Sequence, residues 1–195
     1  MKPSLVLLAG PNGAGKSTLY QTRVAPRFAG PFINADNIQR DELKNPSMEA
    51  SYEAARIAAS RRKEMLEEGQ SFATETVFSH PSKLEVIESA RARGYLVIVM
   101  HVGVDSPDLS VARVKSRKEE GGHDVPEEKI RERYERSQPF IRNAVLHADR
   151  GMVFDNSQIN TPPQQMLIFA QGRLVKSAPL LPQWILGCYA SDLVI

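Results

Sequence analysis

The stretch Gly10-Pro-Asn-Gly-Ala-Gly-Lys-Ser17 decides how this sequence is interpreted. Two glycines frame four residues, and a lysine and a serine follow, which is the spacing of a phosphate-binding loop. Glycines let the backbone curl around phosphate oxygens with its N–H groups turned inward, and the positive end of the next helix faces the same anion. The apolar run 5–9 predicts a buried strand before the loop, and a helix is expected from Lys16. This context favours nucleotide binding over a merely structural glycine turn.

Each polar part of the loop has a predicted partner on a nucleotide. Lys16 is expected to place its charge on the β- and γ-phosphates, and the Ser17 hydroxyl is expected to bind Mg²⁺. The motif predicts phosphate binding without choosing the reaction that follows. The residues predicted to bind ATP-Mg are Gly10, Pro11, Asn12, Gly13, Ala14, Gly15, Lys16, Ser17 and Thr18, with Arg113 from a later helix.

Strands and helices alternate along the rest of the chain. Further strands are predicted near 31–35, 71–75, 95–102 and 151–155, with helices near 36–43, 48–68, 81–93, 107–120 and 127–147. This alternation predicts an α/β fold of the P-loop NTPase type, a three-layer sandwich around a mostly parallel sheet. The pattern after residue 160 predicts a small hairpin around Gln171-Gly172 and a tail of ambiguous structure. We expect one P-loop domain over 1–160, with a helical lid around 113–136, and a hairpin and tail over 161–195 packed on it.

The composition is that of an ordinary globular domain. Hydrophobic residues make up 42% and charged residues 25%, and the formal net charge of +2 argues against a nucleic acid or a membrane as the main partner. The single cysteine, Cys188, excludes an intrachain disulfide and fits a reducing compartment. The sequence shows neither a membrane span nor the pattern of a signal peptide, so we expect a cytoplasmic protein.

Polar residues follow the predicted strands at the edge where α/β sheets collect their ligands. Asp36 comes after the second strand, where its carboxylate can accept the proton of an attacking hydroxyl, although it can also simply cap a helix. Glu75 ends the third strand and is a candidate to contact substrate or magnesium, or else a surface strand end. Asn34, beside Asp36, is a further candidate for substrate binding.

Arginines gather in the segment predicted as the lid. Arg113 and Arg117 are four residues apart and share a helix face, and Arg133 lies beside the apolar face of the next helix. Arginines on a mobile segment can stabilise the charge of a transferred phosphoryl group, and the pair Gly121-Gly122 is suited to act as a hinge. Interleaved glutamates leave a second interpretation open, in which the same arginines form ordinary surface ion pairs.

The ordered set of these motifs resembles the zeta toxin family of P-loop kinases. The resemblance rests on residues 8–18, 32–38, 72–76, 113–117, 121–126 and 155–157. It implies an ATP- and Mg²⁺-dependent kinase acting on an alcohol group of a small molecule, which is UDP-N-acetylglucosamine for the better-studied toxins, and an antitoxin protein as partner. It also implies that Asp36 activates the acceptor hydroxyl, and that Glu75 or Thr76 helps to place the substrate. Arg117 and Arg133 would then clamp the phosphates.

Two other functions are compatible with a phosphate loop. One is a nucleotide-dependent switch or assembly ATPase, although the chain lacks both the Asn-Lys-x-Asp guanine motif and the Leu-Ser-Gly-Gly-Gln signature. The other is a nucleic-acid end kinase, which the near-neutral charge disfavours. A small-molecule kinase of the zeta type is therefore the leading hypothesis.

Overall fold

A computed structural model of the protein describes residues 2–119 and 125–193. The strands in this part are β1 Ser4–Ala9, β2 Phe32–Ile33, β3 Phe72–Thr76, β4 Leu96–Gly103, β5 Arg150–Asp155, β6 Gln164–Ala170 and β7 Arg173–Ser177. The α-helices are α1 Lys16–Leu19, α2 Ala35–Asn37, α3 Met48–Glu68, α4 Leu84–Ala92, α5 Pro107–Glu119, α6 Glu127–His147 and α7 Gln183–Tyr189. Within these two ranges, no helix is both long and apolar enough to cross a membrane.

The strands form one sheet in the order β2-β3-β1-β4-β5-β6-β7. The pairs from β2 to β5 are all parallel, which confirms the predicted α/β fold of P-loop type. From β1 the chain first builds β2 and β3 on one side and then crosses to β4 on the other. The loop after β1 therefore lies where the connections diverge, which is the place where open α/β sheets bind ligands.

The side chains of β1 explain why helices cover both faces of the sheet. Leu5 and Leu7 belong to one buried cluster, while Val6 and Leu8 belong to another. Successive side chains of a strand point to opposite faces, so a strand that is apolar throughout needs a layer on each side. Residues of α3, α4, α6 and α7 complete the first cluster, and α1 with the π-helical turn Tyr20–Val24 completes the second.

A hairpin and a helix follow the parallel strands. β6 pairs antiparallel with β5, and β7 with β6, so the predicted hairpin widens the sheet. Its turn residues Gln171 and Gly172 both have positive φ, 51° and 75°, as a tight two-residue hairpin turn requires. The tail, ambiguous in the sequence, forms α7, whose Trp184 ring packs directly on Gly103. A Cβ at Gly103 would lie 2.3 Å from that ring.

The segment predicted as a lid consists of α5 and α6. Val111, Val114 and Ile130 form a small apolar cluster between these helices. The Tyr134 hydroxyl donates a hydrogen bond of 2.6 Å to the carbonyl oxygen of Val104, which ties α6 to the end of β4. The glycine pair 121–122, predicted as a hinge, lies outside the described residues, so closure of this segment stays a prediction.

His101 connects α7 to the sheet and predicts a pH dependence of stability. Its side chain is fully buried, and its Nδ1 lies 2.8 Å from the Tyr189 hydroxyl. Burial lowers the pKa of His101 from 6.5 to about 3. Below pH 6.5 this histidine takes up a proton in the unfolded chain, whereas in the native state it stays neutral down to about pH 3. Acidification therefore favours unfolding.

We expect the free energy of unfolding to fall by about 1.4 kcal/mol for each pH unit below 6.5 because of this residue. The measurement is urea unfolding at pH 7 and pH 5. His101→Gln, which keeps a polar group near Tyr189 but cannot titrate, should show a smaller difference between the two pH values. Equal differences in both proteins would contradict the assignment.

Candidate active site

A cavity of about 380 Å³ opens at the carboxyl ends of β1 and β3. Its wall is made by the phosphate loop, the start of α2, one face of α3, the end of β3, and parts of α5 and α6. The sequence-predicted residues that line it are Asn12, Gly13, Gly15, Lys16, Ser17, Thr18, Asn34, Asp36, Glu75, Thr76, Arg117 and Arg133. Candidates separated by up to 121 positions in the chain thus meet at one site.

The phosphate loop has the backbone geometry that its glycines predict. Gly13 and Gly15 have φ of +75° and +90°, in the left-handed region that other residues rarely adopt. A Cβ at Gly15 would lie 2.3 Å from the side-chain nitrogen of Asn156, so a larger residue is excluded by space as well. α1 begins directly after this glycine, and its first backbone N–H groups are left without carbonyl partners in the helix.

Lys16 lies inside the loop rather than in solvent. Only 7% of it is exposed, and its ammonium donates hydrogen bonds of 3.1 Å to the carbonyl oxygens of Gly10 and Pro11. Burial lowers the pKa of Lys16, Glu75 and Asp36 act in the opposite direction, and Arg117 lowers it further. The charges that act on Lys16 are therefore those of the residues predicted to bind phosphate, metal and acceptor.

Glu75 and Ser17 form an oxygen pair suited to a magnesium ion. The Ser17 hydroxyl donates a hydrogen bond of 2.8 Å to Oε2 of Glu75, which ends β3 beside the phosphate loop. Mg²⁺ in nucleotide sites takes one or two protein oxygens and completes its shell with phosphates and water. A hydroxyl and a carboxylate at this distance fit such an ion, and Glu75 adds to Ser17 as a candidate ligand.

Asn34, not Asp36, caps the short helix after β2. Its Oδ1 accepts hydrogen bonds from the backbone N–H groups of Asp36, at 2.7 Å, and Asn37, at 3.3 Å. The alternative in which Asp36 is the capping residue is therefore wrong, because Asp36 lies in the first turn. Its carboxylate is exposed and lines the cavity, which leaves it available to a bound molecule. Asn34 is buried, and its side chain forms this helix cap in addition to lining the cavity.

The arginines of α5 and α6 separate into two groups. Arg117 and Arg133 line the cavity, whereas Arg131 forms surface ion pairs with Asp108 at 2.7 Å and Glu127 at 2.8 Å. Arg113, predicted to bind the nucleotide, is not among the lining residues. Its guanidinium donates a hydrogen bond of 3.4 Å to the carbonyl oxygen of Gln158. The surface-pair interpretation thus holds for Arg131, and phosphate binding by Arg117 and Arg133 stays a prediction.

Comparison with known proteins assigns the chain to a family. Residues 1–162 match the model of the Zeta toxin family. The chain belongs to the Zeta toxin family. An uncharacterized protein of Haemophilus influenzae is 27% identical to it over 136 residues, which are 69% of this chain and 94% of that protein.

Two solved structures share the fold of this zeta toxin family member. A chain from the PezAT chromosomal toxin-antitoxin system of Streptococcus pneumoniae has a TM-score of 0.61 at 18% identity, covering 80% of this chain and 69% of that one. The AvrRxo1-ORF1:-ORF2 structure with ATP has a TM-score of 0.68 at 14% identity, covering 89% of this chain and 60% of that one. At these identities the likeness shows a common fold.

Sequence reasoning missed part of the cavity wall of this zeta toxin family member. The missed lining residues include Met48, Tyr52, Arg62, Val77, Lys83, Val86 and Lys129. The sequence did contain one signal for this part of the wall. A row at intervals of four, three and four residues shares one face of α3: Ser51, Ala55, Ala58 and Arg62. Small residues along a helix leave room beside it, and the arginine ends that row.

Asn156 is a further missed residue, and it braces the phosphate loop of this zeta toxin family member. Its side-chain amide, just after β5, donates a hydrogen bond of 2.8 Å to the carbonyl oxygen of Ala14. We expect Asn156→Ala to weaken Mg-ATP binding by about fivefold, because one neutral hydrogen bond contributes on the order of 1 kcal/mol. Calorimetric titration measures this, with Gln165→Ala, an exposed amide on β6, as the control. Unchanged binding would show that the loop holds its shape without this bond.

Proposed function

We propose that the protein is an ATP-dependent kinase that transfers the γ-phosphoryl group to a hydroxyl of a small molecule. The observation that carries this proposal is the convergence of Lys16, Glu75 and Asp36 on one cavity, where both carboxylates act on the buried ammonium. A phosphate loop alone serves many reactions. A carboxylate exposed in the same cavity adds the group that a hydroxyl acceptor needs.

In the proposed reaction, Asp36 accepts the proton of the acceptor hydroxyl. The hydroxyl oxygen then forms a bond to the γ-phosphorus while the bond from phosphorus to the bridging oxygen breaks, and ADP keeps that oxygen. Phosphoryl transfer requires little covalent chemistry from the protein, so positioning and charge stabilisation provide most of the catalysis. The loop N–H groups and Lys16 hold the nucleotide phosphates in place for this step.

The remaining charged groups have proposed roles around the transferred group. Arg117 and Arg133 contact the phosphates from the side of α5 and α6, where a guanidinium fork matches phosphate oxygens. Ser17 and Glu75 would hold Mg²⁺, which would offset the negative charge of the phosphates. Asn34 fixes Asp36 through the helix cap, and Thr76 lies beside Glu75 in the wall that faces the acceptor.

A screen of the purified protein with Mg-ATP against sugar nucleotides and common metabolites tests the proposal. The readout is a mass gain of one phosphoryl group on the acceptor, with UDP-N-acetylglucosamine as the first compound. Transfer to any small hydroxyl compound supports the kinase. ATP hydrolysis that responds only to a protein or to DNA, with no product carrying the phosphoryl group, would replace it with the switch function.

We further propose that the protein acts in the cytoplasm and that an antitoxin protein binds it. ATP is a cytoplasmic substrate, and one structure of the same fold comes from a toxin-antitoxin system. An antitoxin that blocks the cavity should compete with ATP. Co-purification of a partner with the tagged protein from its own host, followed by an ATP competition assay, is the corresponding measurement.

A further inference from the structure

The carboxylate of Asp155, the last residue of β5, is bound to the C-terminal helix. Only 8% of Asp155 is exposed, and its Oδ1 accepts a hydrogen bond of 2.8 Å from the indole Nε1 of Trp184 on α7. The same oxygen accepts a hydrogen bond of 2.6 Å from the Ser157 hydroxyl. A buried carboxylate needs such donors, and hydrogen bonds to a charged group are stronger than neutral ones. The indole N–H therefore helps to fix the position where β5 ends.

Trp184 also packs against the end of β4, the strand beside β5. Gly103, the last residue of β4, is the register partner of Asp155 in the parallel pair. A Cβ at Gly103 would lie between 2.3 and 2.6 Å from three atoms of the indole ring, so the ring occupies the space that any larger residue would need. The ring thus contacts one member of the last strand pair while its N–H binds the other. One side chain sets the relative position of two strand ends.

The residue after β5 transmits this position to the phosphate loop. The backbone N–H of Asn156 donates a hydrogen bond of 2.9 Å to the carbonyl oxygen of Gly103, and its side-chain amide donates one of 2.8 Å to the carbonyl oxygen of Ala14. Asn156 is bonded directly to Asp155. The path from Trp184 to the phosphate loop therefore consists of two hydrogen bonds and one peptide link.

The helix that carries Trp184 lies beyond the part of the chain that matches the family model. That match ends at residue 162, whereas β6, β7 and α7 begin at residues 164, 173 and 183. α7 is firmly anchored, because Ile185 and Tyr189 are fully buried and Asp192 pairs with Arg142 of α6 at 2.6 Å. A side chain on a well-packed element can hold its partners in a fixed geometry.

We infer that Trp184 is a positioning residue for nucleotide binding, which acts through Asp155 and Asn156 on the phosphate loop. The inference rests on the nucleotide-binding part of the proposed function and is independent of the acceptor. Trp184 does not line the candidate active-site cavity, so its effect on a nucleotide must pass through other residues. A phosphate loop that is held in its binding shape loses less conformational freedom when the nucleotide binds, and this raises affinity.

The first test is a double-mutant cycle on nucleotide affinity. Calorimetry with Mg²⁺ and a non-hydrolysable ATP analogue gives Kd for the parent, Trp184→Phe, Asn156→Ala and the double variant. Phenylalanine keeps an aromatic ring but cannot donate to Asp155, and we expect it to raise Kd about threefold. The double variant should show the roughly fivefold increase of Asn156→Ala alone, whereas independent effects would multiply to about fifteenfold. A fifteenfold increase, or an unchanged Kd in Trp184→Phe, would overturn the inference.

Tyr189→Phe is the matched control on the same helix. Its hydroxyl lies 2.8 Å from Nδ1 of the buried His101, so this variant also removes one buried polar contact of α7. Urea unfolding should show a loss of stability in both variants, but only Trp184→Phe should raise Kd. An equal rise in both would show that affinity depends on the general packing of the tail, which excludes the route through Asp155. A parent that binds no nucleotide would refute the proposed function together with this inference.

The emission of Trp184 provides a second test. The chain contains one tryptophan, so its fluorescence comes from this residue alone. Coupling free energies are reciprocal, so a nucleotide whose affinity depends on Trp184 should change the surroundings of that ring. We expect the Mg²⁺-bound ATP analogue to change the emission of the parent, with the Kd found by calorimetry, and to leave that of Asn156→Ala unchanged at saturation. A response of equal size in both proteins, or in neither, would contradict the route through Asn156.

Discussion

Asp36→Asn is expected to lower kcat for phosphoryl transfer by about 10²- to 10⁴-fold, the usual contribution of a general base. The amide has nearly the same shape as the carboxylate but is too weak a base to take the hydroxyl proton. The fold should not change, since Asp36 is exposed and contributes only its backbone N–H to the cap on α2. Binding of Mg-ATP should stay within about twofold, because the phosphates are held by the loop and Lys16.

Two measurements on two variants make this prediction specific. Steady-state transfer gives kcat, and calorimetry with Mg-ATP gives the affinity. Asp41→Asn is the control, because it removes the same charge five residues away, from a side chain that pairs with Arg40 at 2.7 Å and does not line the cavity. A normal rate in Asp36→Asn, or an equal loss in both variants, would show that Asp36 is not the base.

The helices and strands of the fold could be predicted because their signals in the sequence are local. An apolar run before a glycine loop, alanine-rich helical spacing in α3 and β-branched residues in β4 each determine an element within a few residues. The order of the strands is not local in this way, since buried parallel strands have similar compositions and pair with any neighbour of the same kind. The ambiguity of the tail has the same cause, because the tail is held by distant residues. One of them is Arg142 of α6, whose Nε donates a hydrogen bond of 2.6 Å to Asp192, just after α7.

Residues of the candidate site could be predicted from the sequence where a residue type, at a given place in a motif or strand, has one chemical use. Lys16 and Ser17 follow from the loop, and a strand-end carboxylate such as Glu75 follows from the sheet. Side-chain direction was harder to predict: Arg113 and Arg117 share a helix face by spacing, yet only the second lines the cavity. Arg62 and Lys83 belong to separate elements, so only the folded chain brings their charges together.

Lys16→Met is expected to lower the rate of transfer by about 10²- to 10³-fold, as loss of one preorganised donor to a charged transition state does. Methionine can fill the space of the lysine stem, but it carries no charge for the nucleotide phosphates. Burial already disfavours the charged form of Lys16, as its lowered pKa shows. Removing a buried charge removes that cost, so the free energy of unfolding should stay the same or rise, even though the carbonyl oxygens of Gly10 and Pro11 lose their donor.

A loss of activity without a loss of stability distinguishes a phosphate-binding lysine from a structural one. A lysine whose main role is to hold the loop through its two carbonyl contacts would, when replaced, lower stability and activity together. Thermal unfolding with and without Mg-ATP measures both properties, since bound nucleotide raises the unfolding temperature of the parent and should do so far less in Lys16→Met. Lys115→Met is the control, because that ammonium is exposed on α5, pairs with Glu127 at 2.8 Å and lies outside the cavity. A large loss of stability in Lys16→Met with an undiminished response to ATP would refute the phosphate-binding role.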